Sequence, residues 1–447
     1  MPTSCPPVPQ IRLPGQAAAP AGPCDLTPMY LMHHAFRRDL RRFGAAVATT
    51  AVDERDTWRA LQGRWRRFAR ILHHHHAGED ELLWPLLLSR VDAAGDPTEN
   101  GTPVGRCSTA TAYLKPARNR PGLSIEVEAH ATRILFDGTK AVGIEYSHAG
   151  EMKKVRARRE VLLSAGAVQS PQLLQVSGIG NAGHLKELGI PVVTHLPGVG
   201  ENLQDHFQAR LMYEVSKPIT TNDDLRSLTR QVGMGLKWII NRSGPLAVGI
   251  NMAGMFCKVL PESKTPDIQF HFGTLSADQA AGKPHDFSGC TYSVCQLRPE
   301  SRGHLRITSK DSRDAPKMLF NYLASEHDQR TMVEAVKFAR QVASARPIAH
   351  LMKREHRPGH DVKTDDEILA FCKQFGTTIF HPSCTAKMGG KDDSMAVVDE
   401  RLRVHGISGL RVVDCSVMPT LVSGNTNVPV VMIGEKAADM ILADCTA

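Results

Sequence analysis

From Leu31 to Phe43, and again from Trp58 to Leu88, apolar residues recur at three- and four-residue spacing among arginines, the pattern of amphipathic helices. Ahead of them, residues 1–28 are rich in Pro, Ala and Gly without any period, so they bury too little surface to offset their ordering entropy and read as a loose tail. Behind them, Ala93-Ala-Gly-Asp-Pro97 and Asn100-Gly-Thr-Pro-Val-Gly-Arg106 read as turns and a linker. The period then changes. Leu123 to Tyr146 alternates as strands do, with a turn at Phe136-Asp-Gly138, and Arg159-Glu-Val-Leu-Leu-Ser-Ala-Gly166 reads as a buried strand ending in small residues. Ser170-Pro171 offers a capping hydroxyl and a first-position proline to the helix expected next. Further on, Ile268-Gln-Phe-His-Phe272 and Tyr292-Ser-Val-Cys-Gln-Leu297 alternate as antiparallel strands, and the helical period from Asp328 to Ala345 should cover one face of their sheet. A short strand at Leu410-Arg-Val-Val413 and a helix from about Val430 to Leu442 close the chain. The predicted fold class is therefore mixed α/β (α+β), preceded by a helical segment.

Composition narrows this layout without redirecting it. With 42% hydrophobic and 22% charged residues in 447, the chain is an ordinary globular protein of two or three domains. The net charge of +8 is spread over dispersed arginines with no basic run interleaved with aromatics, so it reads as solubility and no nucleic-acid partner is expected. Ten cysteines form no CxxC pair and no zinc spacing, which favours reduced thiols and a cytoplasmic setting over a disulfide framework. No apolar run reaches membrane-spanning length and no export signal opens the chain. Nothing in the pattern sets the oligomeric state.

The chemistry is concentrated in a few dense segments: Gly166-Ala-Val-Gln-Ser-Pro-Gln-Leu-Leu-Gln-Val-Ser-Gly-Ile-Gly180, Pro197-Gly-Val-Gly-Glu-Asn-Leu-Gln-Asp-His206, Arg298-Pro-Glu-Ser-Arg-Gly303, Asn321-Tyr-Leu323, Phe375-Gly-Thr-Thr-Ile-Phe-His-Pro-Ser-Cys-Thr-Ala-Lys-Met-Gly389, Val413-Asp-Cys-Ser-Val-Met-Pro419 and Ser423-Gly-Asn-Thr-Asn427. On these segments, residues from about 100 to 445 resemble the glucose-methanol-choline (GMC) oxidoreductases, in particular their choline-dehydrogenase-like branch. The resemblance implies FAD and oxidation of the CH–OH group of an alcohol. It also implies a partial FAD-binding α/β domain at 98–206, an antiparallel-sheet substrate cap at 207–375, and a C-terminal return to the flavin at 376–447. Such a reaction needs a base near neutral pKa beside the substrate oxygen, a task suited to histidine. The resemblance puts that base at His381 and its hydrogen-bonding partner at Asn425. Ala165, Gly166, Ser170, Asp414, Thr426 and Asn427 fall at its flavin-contacting positions, while His206 and Cys384 read as structural.

The family's N-terminal Gly-rich nucleotide-binding segments have no counterpart here, so the expectation is a truncated flavoenzyme whose activity is in question. Gly178-Ile-Gly-Asn-Ala-Gly183 spells GxGxxG, but it follows a helix and lacks an acidic ribose partner on a following strand. The substrate is weakly specified. Choline calls for aromatic or acidic groups around its ammonium, and with 5% aromatic residues an aliphatic or polyol alcohol is an equal candidate. Oxygen and a quinone-like carrier are both open as electron acceptors.

In the N-terminal segment, Ile71-Leu-His-His-His-His-Ala-Gly-Glu79 sets His75 and Glu79 one helical turn apart, where imidazole and carboxylate can share a metal ion. With His33, or His34 in its place, residues 29–92, within a segment taken as 29–97, resemble the first two helices of a hemerythrin-like four-helix bundle. That resemblance implies a di-iron site at His33, His75 and Glu79. Helices three and four, which would carry the remaining ligands, do not follow Asp92. A solvated helix face with adventitious metal affinity is the plainer reading of the histidine run, and a non-functional chimeric join near Pro97 is a third.

Overall fold

The computed structural model describes residues 108–241, 244–247, 251–278 and 282–446. The chain divides into two compact units, residues 1–125 and 126–447. The two helices expected near the N-terminus and the candidate ligands His33, His75 and Glu79 fall outside the described residues. In the first unit, the described part is a helical stretch over 110–117, opened by Ser108, whose hydroxyl accepts the Thr111 N–H at 3.3 Å.

The second unit begins with an antiparallel sheet of β1 (Ala129–Asp137), β2 (Lys140–His148) and β3 (Glu151–Arg156) in that order. Its first turn falls at the expected Asp-Gly, with Gly138 at φ +58°, a conformation that costs glycine nothing. The strand expected up to Gly166 is shorter: β4 covers only Val161–Leu163, and Leu162 is 49% exposed. It is half-covered because its partner among the described residues is the distant Leu410–Val412 strand (β11), aligned parallel to it in a two-stranded sheet.

The next helix, α1 (Gly166–Val176), corrects a second expectation. Ser170 and Pro171 do not start it. They sit in its interior, and the buried Ser170 hydroxyl turns back to accept the Ala165 N–H at 3.0 Å. A proline there withholds the N–H that would bond the carbonyl four residues earlier. That carbonyl, of Ala167, instead accepts the Thr385 hydroxyl at 2.7 Å, so the proline is tolerated by a partner from 218 residues away.

The larger sheet combines β5 (Phe207–Val215), β6 (Asn251–Cys257), β7 (Ile268–Gly273), β8 (Gly289–Gln296) and β9 (Met352–Arg357) in the order β9-β5-β8-β7-β6, all antiparallel, with the short β10 (Thr377–Thr378) also on β5. Alternation assigns its two faces. Ala209, Leu211, Phe270, Tyr292 and Val294 are buried against Met332 and Val336 of α2 (Glu326–Ala343) and Ile368 and Phe371 of α3 (Asp365–Phe375). Gln269 and His271 of β7, opposite Cys295 and Ser293 of β8, belong to the other face. A second core joins Leu174, Ile179, Leu185, Val397, Val398, Leu410 and Val412, and α4 (Asn427–Thr446), three residues longer at its start than expected, adds Ala437. No helix of the described residues is long and apolar enough to cross a membrane.

Two glycines in the dense segments have steric reasons. A Cβ on Gly303 would sit 1.9 Å from the Leu319 carbonyl oxygen, and one on Gly200, at φ +84°, 2.1 Å from that of Leu305. The loop around Gly303 is held by Asp328, 1% exposed at the start of α2, whose carboxylate accepts the Glu300 and Ser301 N–H groups at 2.9 Å each and the Gln296 amide at 2.5 Å.

Candidate active site

His381 is placed by a ladder of backbone bonds between residues 204–208 and 377–383. Thr378 pairs with Phe207, the Ile379 N–H donates to the His206 carbonyl at 3.1 Å, and Gln204 and Ser383 exchange both of their bonds. Phe380, just before the histidine, holds φ +65°, unusual for a bulky residue and located where the chain turns to present His381. The His381 backbone N–H donates to Asp205 Oδ1 at 2.9 Å, and Tyr322 donates its phenol to Asp205 Oδ2 at 2.5 Å.

This register brings two imidazoles together. His206 Nδ1 lies 3.0 Å from His381 Nδ1, with the rings edge to face at 5.2 Å between centroids. His206 is fully buried, and its Nε2 lies 3.1 Å from the Leu297 carbonyl oxygen. Burial pushes the His206 pKa down to about 4, with the charge of His381 acting in the same direction. His381 is also lowered by burial, against which the Asp205 carboxylate pulls it up. Asp205 itself is raised by burial, opposed by its bonds to Thr378, Tyr322 and His381. His271, on the β7 face turned away from the helices, is lowered by burial and by the charge of His381.

Asn425 reaches the same face from the other side. Gln269, two residues from His271 on β7 and 6% exposed, donates its amide to Asn425 Oδ1 at 3.0 Å, while Gln269 Oε1 is buried without a partner. The Asn425 acceptor is thereby engaged and its Nδ2 donor is the end left for another group. The loop before it is tied to the Asp205–His206 segment: the Leu421 N–H donates to Gln204 Oε1 at 3.1 Å, and Asn202 Nδ2 to the Pro419 carbonyl at 3.1 Å. Asn425 thus bonds Gln269 on the polar face of β7, and His381 lies against His206 at the head of β5. Cys384 is fully buried, with its thiol pushed up to about 12 by that burial.

The residues matched to flavin contacts divide into two sets. The Ala165–Gly166 backbone at the head of α1 is open: Gly166 has φ +82° and nothing within 4 Å of where a Cβ would stand, and Ala165 is exposed. Thr426 and Asn427 stand at the head of α4, where the Thr426 carbonyl accepts the Val430 N–H. An open backbone and a helix N-terminus fit a flat ring with a polar, electron-accepting edge. Asp414 and Ser170 are engaged within the chain. Asp414 Oδ2 accepts the Gly166 N–H at 2.9 Å and the Ser170 hydroxyl at 2.5 Å, and its Oδ1 accepts the Ser416 N–H and hydroxyl, so this buried carboxylate fastens the turn at Gly166. The GxGxxG stretch is no phosphate cradle either. Asn181 caps the short helix Ala182–Glu187 through the Gly183 and His184 N–H groups, and the Ala182 N–H is taken by His195.

Sequence reasoning did not find Asp205, Tyr322, Gln269 or His271 as site residues, and it treated His206 as structural. The signal present was the Asp205-His206 pair and the Tyr322 within segments already singled out; what it lacked was the pairing across 175 residues that puts them around His381.

Known proteins converge on the same reading. GMC oxidoreductase family models match residues 98–208 and 299–434, and a hemerythrin HHE cation binding domain model matches residues 26–100. Among curated relatives, the oxygen-dependent choline dehydrogenase 1 of Chromohalobacter salexigens is 42% identical over 380 residues, 81% of this chain and 68% of its own length. The mitochondrial choline dehydrogenase of Mus musculus is 44% identical over 336 residues, 75% of this chain and 56% of its own. Among solved structures, a formate oxidase from Aspergillus oryzae superposes with TM-score 0.69 at 26% identity, covering 74% of this chain and 63% of that one. A pyridoxine 4-oxidase from Mesorbium loti does so with TM-score 0.64 at 27% identity, covering 75% and 61%. The chain thus spans between about half and two thirds of the length of these relatives, and over that span it belongs to the GMC oxidoreductase family.

Proposed function

We propose that this chain carries the alcohol-binding and proton-accepting side of an FAD-dependent oxidation of a CH–OH group, with a choline-like or aliphatic primary alcohol as substrate. What supports the reading is that His381 lies against the buried His206 while Asn425 bonds Gln269 on the polar face of the same sheet, with burial holding the His381 pKa below its usual value. The free Asn425 amide hydrogen orients the substrate oxygen, and the neutral imidazole of His381 takes the hydroxyl proton. Asp205, 2.9 Å from the His381 backbone, then faces the imidazolium with an opposite charge. A bound flavin would supply the acceptor for the hydride leaving the carbon.

Ala165, Gly166, Thr426 and Asn427 are the residues proposed to lie against FAD, with Ser170 and Asp414 holding the turn that exposes Gly166. Cys290, Cys295, Cys372 and Cys384 are buried with thiols pushed up to about 12, which supports inert structural cysteines. The test is alcohol oxidation by the full chain with saturating FAD and a quinone-type acceptor, parent against H381A. A rate that depends on His381 supports the reading; equal rates overturn it.

A second reading, a cation-binding module over residues 26–100, is favoured by the hemerythrin match. Bound iron in the parent that falls in H75A supports it, and low iron content unchanged by the substitution counts against it.

A further inference from the structure

We infer that His206 is a positioning residue that fixes the tautomer of His381, holding its proton on Nδ1 and leaving Nε2 as the bare lone pair. This rests on the reading of His381 as the base and says which of its two nitrogens does the work. The assignment follows from counting protons along one line of groups. A carbonyl oxygen can only accept, so His206 Nε2, 3.1 Å from the Leu297 oxygen, carries a hydrogen. His206 is fully buried and far less basic than ordinary histidine, so it is neutral and has one N–H to place. Its Nδ1 is then a lone pair. The hydrogen in the 3.0 Å contact between the two Nδ1 atoms must therefore come from His381, whose remaining nitrogen is unprotonated.

The neighbouring groups leave this assignment in place. Asp205 takes the His381 backbone N–H on one oxygen and the Tyr322 phenol on the other, so its contribution to the His381 ring is charge. Thr378 also bonds that carboxylate. The Leu297 and Val422 carbonyls both act to raise the His206 pKa, and burial outweighs them, so the ring stays neutral. The charge of His271 would act on His206 in the same lowering direction, and His271 is itself held below its usual pKa by burial. When the alcohol O–H breaks, its proton forms a bond to His381 Nε2. The Nδ1–H stays directed at the His206 lone pair, and no proton passes to His206.

The assignment is read directly from two-bond proton–nitrogen correlation spectra of the full chain labelled with nitrogen-15 in histidine, with the His381 signal identified by its loss in H381Q. The expected pattern is a protonated Nδ1 and a bare Nε2 on His381. A protonated Nε2 in the parent overturns the inference whether or not any variant folds. Two substitutions extend the test. In H206Q the carboxamide can accept from His381 and donate to Leu297, so the pattern persists; in H206L the acceptor is gone and the Nε2–H form, preferred by free histidine, grows in. An unchanged His381 pattern in a folded H206L would also overturn it. In the FAD-supplemented assay, kcat is expected to fall on the order of tenfold to a hundredfold in H206L and less in H206Q, the range for losing a partner that fixes a ring's tautomer. Equal losses in the two variants would make His206 merely structural. The spectra need no turnover, so a failure of the alcohol-oxidation reading would leave the tautomer result standing, and the reverse holds too.

Discussion

At the scale of single residues, the chemistry rests on pKa control by burial. His381 is pushed below the ordinary histidine value by desolvation and partly restored by Asp205. A base so shifted stays neutral to lower pH, so the acid limb of kcat/KM should lie below the usual value of about 6.5. Activity should be full above that limb and lost as pH falls through it. D205N removes the charge that pulls His381 up, so its acid limb should move to still lower pH, which a pH–rate profile checks directly. A limb that rises in D205N would contradict the assigned electrostatics. H381A should lower kcat/KM by about a hundredfold to ten-thousandfold, the usual contribution of a positioned base. The residues proposed for the chemistry came from local sequence: His381 and Asn425 sit in dense segments, and Thr426 and Asn427 follow at once. The partners were not, because His206, Gln269 and Tyr322 become neighbours only through sheet register, and no local spacing encodes that.

Among the elements, strand alternation was read correctly where the strands are amphipathic. The Ile268–Phe272 and Tyr292–Leu297 patterns give antiparallel β7 and β8 with Phe270, Tyr292 and Val294 inside. Reading failed at β4 and α1 for two physical reasons. A parallel strand is covered by partners remote in the chain, so its apolar run did not reveal that Leu162 would be half exposed. A proline ordinarily marks a helix start, and only the Thr385 hydroxyl, invisible to local pattern, makes Pro171 tolerable within the helix. At this scale Asp328 is the most exposed to test. D328A strips the acceptor from the Glu300 and Ser301 N–H groups and the Gln296 amide, and should cost about 2–4 kcal/mol in urea unfolding. G303A should cost about 1–3 kcal/mol, since its methyl would collide with the Leu319 carbonyl. Unchanged urea midpoints would refute these local accounts.

For the whole molecule, the family resemblance was legible from residue 100 onward because its segments are dense and lie in the expected order. The N-terminal segment was read as helices with a histidine run, and a hemerythrin model matches residues 26–100. The proposed function joins the polar face of the large sheet, the loop carrying His381 and the head of α4 in one account. The measurement that tests it most directly is alcohol oxidation by the full chain under saturating FAD, with choline and simple primary alcohols as substrates and a quinone-type acceptor, parent beside H381A. The account predicts turnover in the parent that falls by at least about a hundredfold in H381A. Parent and variant running at the same rate, at background or above it, would contradict it.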